Sequence, residues 1–455
     1  MRANWIGEFA SLFLNSEESA ALLTWEGDVL YAKSDLLFEI TGFKPMVENS
    51  LKYTQPKPGD VLLANDPYSG GSFLYRYSFL MPLAAPDVNT PGLVLCVRRT
   101  FGASLSVADK LDDEGLRIPP TPILQKSQLV TPIIEAMSMH PLCPTDFGGW
   151  LKEVTNELTL FYQKWLRVEK AYKASFSHAE IKKFIQFSQK RTSEKVFEKA
   201  QGDARVEMRL DSGETLKLHL EIHDGRIKAD FGGTTSGLKT FVPDYATFGS
   251  CYAAICDFYE LAEFKTSGTF SILQVIKPAG CFLNAKFPAS TYRGFEIGTR
   301  IVYQAMTLAL HQIVKSTQTL WHEDLVKMEF AFSNDARWLS EWSAKKVCES
   351  LSVEGTEQRF PILFKRLEKT AEPAGLVVEF EVRAACQWRW LSDMTLHPVR
   401  APKGWKAPQP HRLEIRNDAN GEWVSMKSSG TADLAPATLV RLQFTSAFEP
   451  VVKKS

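Results

Sequence analysis

Residues 1–148 set short apolar runs between loops rich in glycine and proline, a pattern that predicts strands joined by turns. Ala20–Trp25 and Val29–Ala32 flank Glu26-Gly27-Asp28, which predicts a hairpin. Asp60–Ala64 predicts another strand, delivering the chain into Asn65-Asp66-Pro67-Tyr68-Ser69-Gly70-Gly71-Ser72. Tyr77–Leu83 and Gly92–Arg98 read as buried strands on either side of the turn-rich Ala85–Pro91. Over 149–203 the period lengthens. Trp150, Leu151, Val154, Leu158, Phe161, Trp165, Leu166 and Val168 recur at three- and four-residue steps, the stripe of an amphipathic helix. Ser177 then predicts the cap of a second helix carrying Ile181, Phe184, Ile185, Val196 and Phe197.

Residues 204–327 open on a period of two. Val206, Met208 and Leu210 lead to Asp211-Ser212-Gly213; Leu216, Leu218 and Leu220 lead to His223-Asp224-Gly225; Ile227–Phe231 completes a meander. Two apolar helices are predicted at Thr247–Leu261 and Glu296–Val314, separated by a stretch that includes Phe270–Lys277. Residues 328–455 return to strands, with a Pro/Lys-rich loop at Val399–His411 and a hairpin at Asn417–Gly421. The expected class is α+β, with several mixed sheets and helices packed on them, and no internal repeat is evident.

Composition narrows the function classes. With 455 residues and roughly 100–200 per domain, the chain is long enough for two or three cored domains. Lys+Arg and Asp+Glu both number 53, so there is no basic excess of the kind nucleic-acid binding requires. No apolar run approaches the ~20 residues of a membrane span. Glu8 interrupts the N-terminus where a secretory leader needs an apolar core, so a cytoplasmic location is expected. The seven cysteines are odd in number and contain no C-x-x-C pair; buried thiols fit better than disulfides or zinc thiolates.

The loop Asn65–Ser72 is the most unusual segment, because Gly70-Gly71 after a strand suits a close backbone approach. Asp66 there has three open roles: metal ligand, general base, or cap on local amides, the last being the commonest. His219 and His223 share one face of a predicted strand, but about 13 Å of separation prevents them from sharing a metal. His322-Glu323-Asp324 reads as a solvated helix start. Asp230-Phe231-Gly232-Gly233-Thr234-Thr235 offers amides and hydroxyls to an anion but lacks the lysine of a phosphate loop. No G-x-S-x-G elbow or Cys/His arrangement is present.

Taken in order, four segments resemble the hydantoinase B/oxoprolinase family, of the N-methylhydantoinase B and 5-oxoprolinase type. Gly59-Asp60-Val61 through Ser72 is similar to its G-D-V…N-D-P-Y-x-G-G-[ST] loop, and Glu114-Gly115-Leu116-Arg117-Ile118-Pro119-Pro120 to its E-G-[LI]-R-I-P-P segment. Asp230–Thr235 is similar to its D-F-[ST]-G-T-[ST], and Ile276–Gly280 with Asn284–Ala289 to the stretch before its long apolar helix. The resemblance implies an ATP-dependent opening of five-membered cyclic amides, with relatives in ketone carboxylases. It also implies a divalent-metal site and, since this chain has no nucleotide signature, a hydantoinase A-like partner that handles ATP. A homo-oligomer is the other assembly expected.

The departures carry as much weight. Where the family loop continues H-x-x-D, this chain reads Phe73-Leu74-Tyr75-Arg76; where H-H-A-D follows, it reads Arg99–Ser104. No histidine precedes His140. Glu17 or Glu18 falls near the family's first acidic position. A catalytic zinc- or manganese-type site needs about three His, Asp, Glu or Cys ligands. Without such an ion nothing lowers the pKa of water from about 15.7 toward about 7. The expectation is therefore no tightly bound metal and an impaired hydrolase, with Asp66 and Glu17 as the remaining acid/base candidates. Tyr68, Gly70, Gly71 and Ser72 would contact substrate, the loop amides facing its oxygen. Arg76 would either grip a small anionic ligand, a carboxylate or phosphate, together with Arg98 or Arg99, or pair with Asp66; the ion pair is favoured. The alternative to an impaired hydrolase is a non-catalytic binding or scaffold subunit. The chain ends at Val451–Ser455, where the family's glycine-rich tail would begin, and is expected to be a shortened member.

Overall fold

Apolar runs that show no alternation become central strands when both faces of their sheet are covered. That is the case here. In the computed structural model, which describes all residues except 1–3, 13–18, 35, 103–104, 262–264, 316–319, 322–325, 334–335, 343–352, 372–373, 394–404, 407–408, 418–420, 446 and 451–455, seven strands form the first sheet. They are β1 (Ser19–Thr24), β2 (Val29–Lys33), β3 (Val61–Ala64), β4 (Arg76–Ala84), β5 (Leu93–Thr100), β6 (Thr121–Gln125) and β7 (Gln128–Leu129). Their order is β2-β1-β5-β4-β3-β6-β7, antiparallel throughout.

Helices α1 (Asn4–Ser11), α2 (Phe43–Tyr53), α3 (Thr131–Ser138) and α4 (Phe147–Tyr172) belong to this part. Leu22, Phe79 and Leu95 point to one face, into a core with Trp5 and Phe9 of α1 and Leu151 and Trp165 of α4. Ala21, Leu23, Val94 and Cys96 point to the other, against Phe43, Met46 and Val47 of α2. The predicted α4 stripe buries Leu151, Val154, Leu158, Phe161, Trp165 and Val168, whereas Leu166 is turned out to 45% exposure. Ser177 caps α5 (His178–Lys199) by accepting from the Glu180 N–H. Of the residues predicted for its buried stripe, Phe197 is exposed, since one residue past the buried Val196 the helix has rotated by about 100°.

The meander forms as predicted: β8 (Gly202–Arg209), β9 (Thr215–His223) and β10 (Arg226–Asp230), with β11 (Leu273–Ile276) added parallel to β10. Its apolar face packs on α6 (Asp244–Tyr259) and α8 (Thr299–Ile313), with the short α7 (Ser267–Phe270) between them in sequence. The Gly294–Gly298 turn that leads into α8 is π-helical. On the opposite face of β9, His219 lies between Asp203 and Glu221, 3.3 Å from each, and His223 is exposed.

Towards the C-terminus, a sheet containing Val326–Phe332, Arg337–Trp342, Cys386–Ser392 and Ser429–Leu434 shares one core with a sheet containing Ile362–Ala371, Ala374–Val382, Arg412–Arg416 and Thr438–Thr445. Arg412–Arg416 pairs with Val424–Ser425, the hairpin expected around Asn417–Gly421, whose tip lies outside the described residues. Most of the Val399–His411 loop, His322-Glu323-Asp324 and Cys348 also lie outside them. Cys96, Cys251, Cys256, Cys281 and Cys386 are buried free thiols and Cys143 is half-buried. Among the described residues no helix is long and apolar enough to cross a membrane.

Candidate functional site

The loop after β3 is held by its own polar atoms. Asn65 fastens three stretches of chain: Nδ2 donates to the Leu74 and Leu116 carbonyls (2.7 and 2.8 Å), and Oδ1 accepts from the Ile118 N–H (2.6 Å). Asp66 takes the capping role among those open to it. Its Oδ1 accepts from Tyr68 N–H (2.9 Å), its Oδ2 from the Ser69 hydroxyl (3.3 Å), and Arg117 stands 4.0 Å away. The Gly71 N–H donates to the Asp66 carbonyl, so it is turned inward rather than toward a substrate oxygen. Gly70, Gly71 and Ser72 are all buried. Gly70 sits at φ 102°, where a side chain would also meet the Gly42 carbonyl at 2.5 Å. A Cβ on Gly71 would meet the Asn65 carbonyl oxygen at 2.4 Å. Close packing of backbone on backbone accounts for both glycines.

Arg76 pairs with Glu39, not with Asp66. Glu39 lies in a 3-10 helix, Leu37–Gly42, and is fully buried. The Arg76 Nε is 2.8 and 3.0 Å from its two carboxylate oxygens. Nη2 donates to Ser19 Oγ (2.7 Å) and Nη1 to Thr100 Oγ1 (3.1 Å). The Ser72 hydroxyl donates to Glu39 Oε1. Arg98, also fully buried, donates to the Glu39 and Gly70 carbonyls and to Ser78 Oγ, with its guanidinium 4.4 Å over the Phe43 ring. Arg99, next along the strand, points to the other side and pairs with Glu157 at 2.6 Å. Phe73 packs on Tyr292, and Phe101 stacks on Trp150 at 4.5 Å. The donors that an anion would use on Arg76 thus hold the protein together.

This donor set does not fit a divalent cation. One carboxylate is shared with serine hydroxyls and a directly bonded guanidinium, and a second guanidinium stands beside them; an ion on Glu39 would have to displace Arg76 against like-charge repulsion. Glu17 and Glu18 lie outside the described residues. Among the described residues no group of three His, Cys, Asp or Glu is placed to hold a metal.

Three of the motif segments do converge. Tyr68 donates its hydroxyl to the Ala289 carbonyl (2.7 Å) and meets Phe287 edge-on. Arg117 lies 4.6 Å over the same Phe287 ring. Beneath them Glu114 is buried, accepting from the Ser290 hydroxyl and from the Tyr292 N–H (2.9 Å). Burial pushes its carboxyl up to about 7 against the pull of those hydrogen bonds. Burial, then the nearby Glu114 and Asp66 carboxylates, raise the Tyr68 hydroxyl above its usual range, so it stays protonated. The Asp230–Thr235 element has turned its polar groups inward: Gly232, Thr234 and Thr235 donate their N–H groups to Asp230, Phe231 and Thr215.

Glu39 and Glu114 are the residues that sequence reasoning missed. Glu39 interrupts the apolar run Leu36–Ile40, and a carboxylate in such a run must find a buried cation. That signal was available; its partner, 37 residues away, was not.

The sequence model for hydantoinase B/oxoprolinase matches residues 14–337. An uncharacterised protein of Methanocaldococcus jannaschii is 23% identical over 303 residues, 62% of this chain and 53% of that protein. The chain therefore spans about half the length of this curated relative. Among solved structures, an ATP-dependent caprolactamase from Pseudomonas jessenii superposes with a TM-score of 0.76 at 15% identity, over 97% of this chain and 88% of that one. A nucleotide-free acetone carboxylase, solved in a study of ATP-dependent acetone carboxylation, gives 0.74 at 11% identity, over 95% and 70%. These likenesses establish the fold, and the α+β class read from the sequence agrees with it. With the family model covering well over half of its length, the chain belongs to the hydantoinase B/oxoprolinase family.

Proposed function

We propose that this chain is a hydantoinase B-type subunit that keeps the family scaffold but not metal-dependent hydrolysis, and that works beside an ATP-using, hydantoinase A-like partner. The observation that carries this reading is the Glu39–Arg76–Arg98 network, in which Arg76 stands where the family loop is expected to carry a carboxylate and a second guanidinium, that of Arg98, lies beside it. Arginine cannot act as a base or a metal ligand near neutrality. The oxygens of Asp66 are engaged by Tyr68 and Ser69, and the Gly71 amide is turned inward, which supports loss of chemistry at the loop as well. Retained ring opening of a hydantoin or 5-oxoproline, with Asp66 and Glu17 as acid and base, has less support. The ATP dependence of the caprolactamase and of acetone carboxylation in the two structural neighbours favours a partner that handles nucleotide, since this sequence has no nucleotide signature of its own.

The test is reconstitution. The chain is purified with a hydantoinase A-type subunit, assayed for metal content, and offered hydantoin, 5-oxoproline and caprolactam with ATP. The expected outcome is a stable complex with no stoichiometric zinc or manganese and no ring opening. Chelator-sensitive turnover that is lost in Asp66→Asn would overturn the proposal.

A further inference from the structure

A cavity of about 170 Å³ opens where six stretches distant in sequence meet: the loop through Ser106 and Asp109, the hairpin turn at Ser212, Lys239, Arg293, Leu391 and Ser428-Ser429. It shares no residue with the Glu39 network. A cavity of about 150 Å³ is enough for a benzene-sized guest, so a small molecule fits.

Its cations are held in place by other residues. Arg293 is buried at 7% exposure, and it donates Nε to Thr240 Oγ1 (3.1 Å) and Nη2 to Asp393 Oδ1 (3.4 Å). These bonds use two of its five N–H groups. Asp393 is a weak counter-ion for it: Oδ1 also takes the Asp211 N–H (3.0 Å), and Oδ2 is buried with no hydrogen-bond partner among the described residues. The backbone that carries Lys239 is clamped from below, because Glu214 Oε1 accepts from the N–H groups of Leu238, Lys239 and Thr240 at 3.0, 2.8 and 2.8 Å. At the rim Lys239 Nζ is 2.7 Å from Asp109, and both side chains are well exposed. The lining therefore carries two cations, one carboxylate and several serine hydroxyls. A hydroxyl-lined recess with a preset guanidinium, and with a lysine whose present partner is the exposed Asp109, suits an oxyanion that would replace Asp109 on Lys239.

We propose that this cavity binds a small oxyanion, a carboxylate or phosphate group, through Arg293, Lys239 and the surrounding serines. This goes beyond the proposed loss of hydrolysis and stands whether or not that reading holds. Isothermal titration calorimetry of the full chain with inorganic phosphate and with succinate, at ionic strength fixed by chloride, tells the two anion classes apart. Saturable binding with a Kd on the order of 1 mM or tighter is expected for at least one of them. Lys239→Ala weakens that binding about tenfold. Asp109→Asn, which removes the competing carboxylate, strengthens it. Both substitutions fall on an exposed ion pair, so thermal melting is unchanged and a lost signal is not a lost fold. No saturable heat with either anion would overturn the proposal. So would affinity that is indifferent to both substitutions, or weaker binding in Asp109→Asn.

Discussion

At the scale of single residues, the chain is most sensitive where charge is buried. Removing one partner of a buried, hydrogen-bonded ion pair leaves the other uncompensated, at a cost of about 3–5 kcal/mol. Glu39→Leu or Arg76→Met should each destabilise the protein on that scale, measured by urea unfolding. The double variant should lose less than the two single losses added together, the coupling expected of residues in contact. Additive losses would mean that Arg98 and the serines, rather than Arg76, balance Glu39.

His411 gives a second residue-scale prediction. It is buried against Phe444, and burial pushes its imidazole down to about 4. The unfolded chain takes up the proton near pH 6.5 and the folded one only near 4. Stability is therefore full above about pH 6.5 and falls as pH drops toward 4, by up to about 3 kcal/mol. Glu114 and Asp393, each pushed up to about 7 by burial, act with the opposite sign. Their contribution is full below the unfolded carboxyl range and is lost as pH rises through 7. His411→Leu isolates the acid limb: unfolding free energy at pH 5 relative to pH 7.5 should be higher in the variant than in the parent, by about 2 kcal/mol. Parallel pH dependences would remove His411 as the cause.

At the scale of elements, the Gly70–Gly71 turn is a packing device. Gly71→Ala would drive a methyl into the Asn65 carbonyl, which is backbone and has no rotamer in which to retreat. A loss of more than about 2 kcal/mol is expected, with the folded far-UV circular dichroism spectrum retained below the transition. A near-neutral result would mean that the loop has room to shift. The elements themselves were largely legible in the sequence. The α4 stripe, the alternation of β8 and β9 and the hairpin at Gly27 are patterns in which one face is apolar or a turn demands special residues. Strands β4 and β5 were legible as buried runs, but not which face met which core, because period two vanishes when both faces are covered. Phe197 shows the opposite failure, an aromatic residue counted into a stripe it only borders.

For the whole molecule, motif order announced the fold while the chemistry of the site depended on contacts between remote segments. Asn65 reaches Leu116 and Ile118, and Tyr68 reaches Ala289, 221 residues away. The cavity around Arg293 draws on six segments that share no local pattern. Residue type revealed that imidazoles were missing; only the folded arrangement revealed that Glu39 had claimed Arg76. The same arrangement turns the Asp66 oxygens to the Tyr68 N–H and the Ser69 hydroxyl, as a cap does.

The Glu39 cluster ties the Leu37–Gly42 helix, strands β4 and β5 and the glycine turn into one knot. Amide protons of residues 39–42 and 70–72 should consequently exchange with deuterium through a single concerted opening, and Arg76→Met should speed both groups by the same factor. If one group exchanges faster while the other is unmoved, the knot is two separate fastenings.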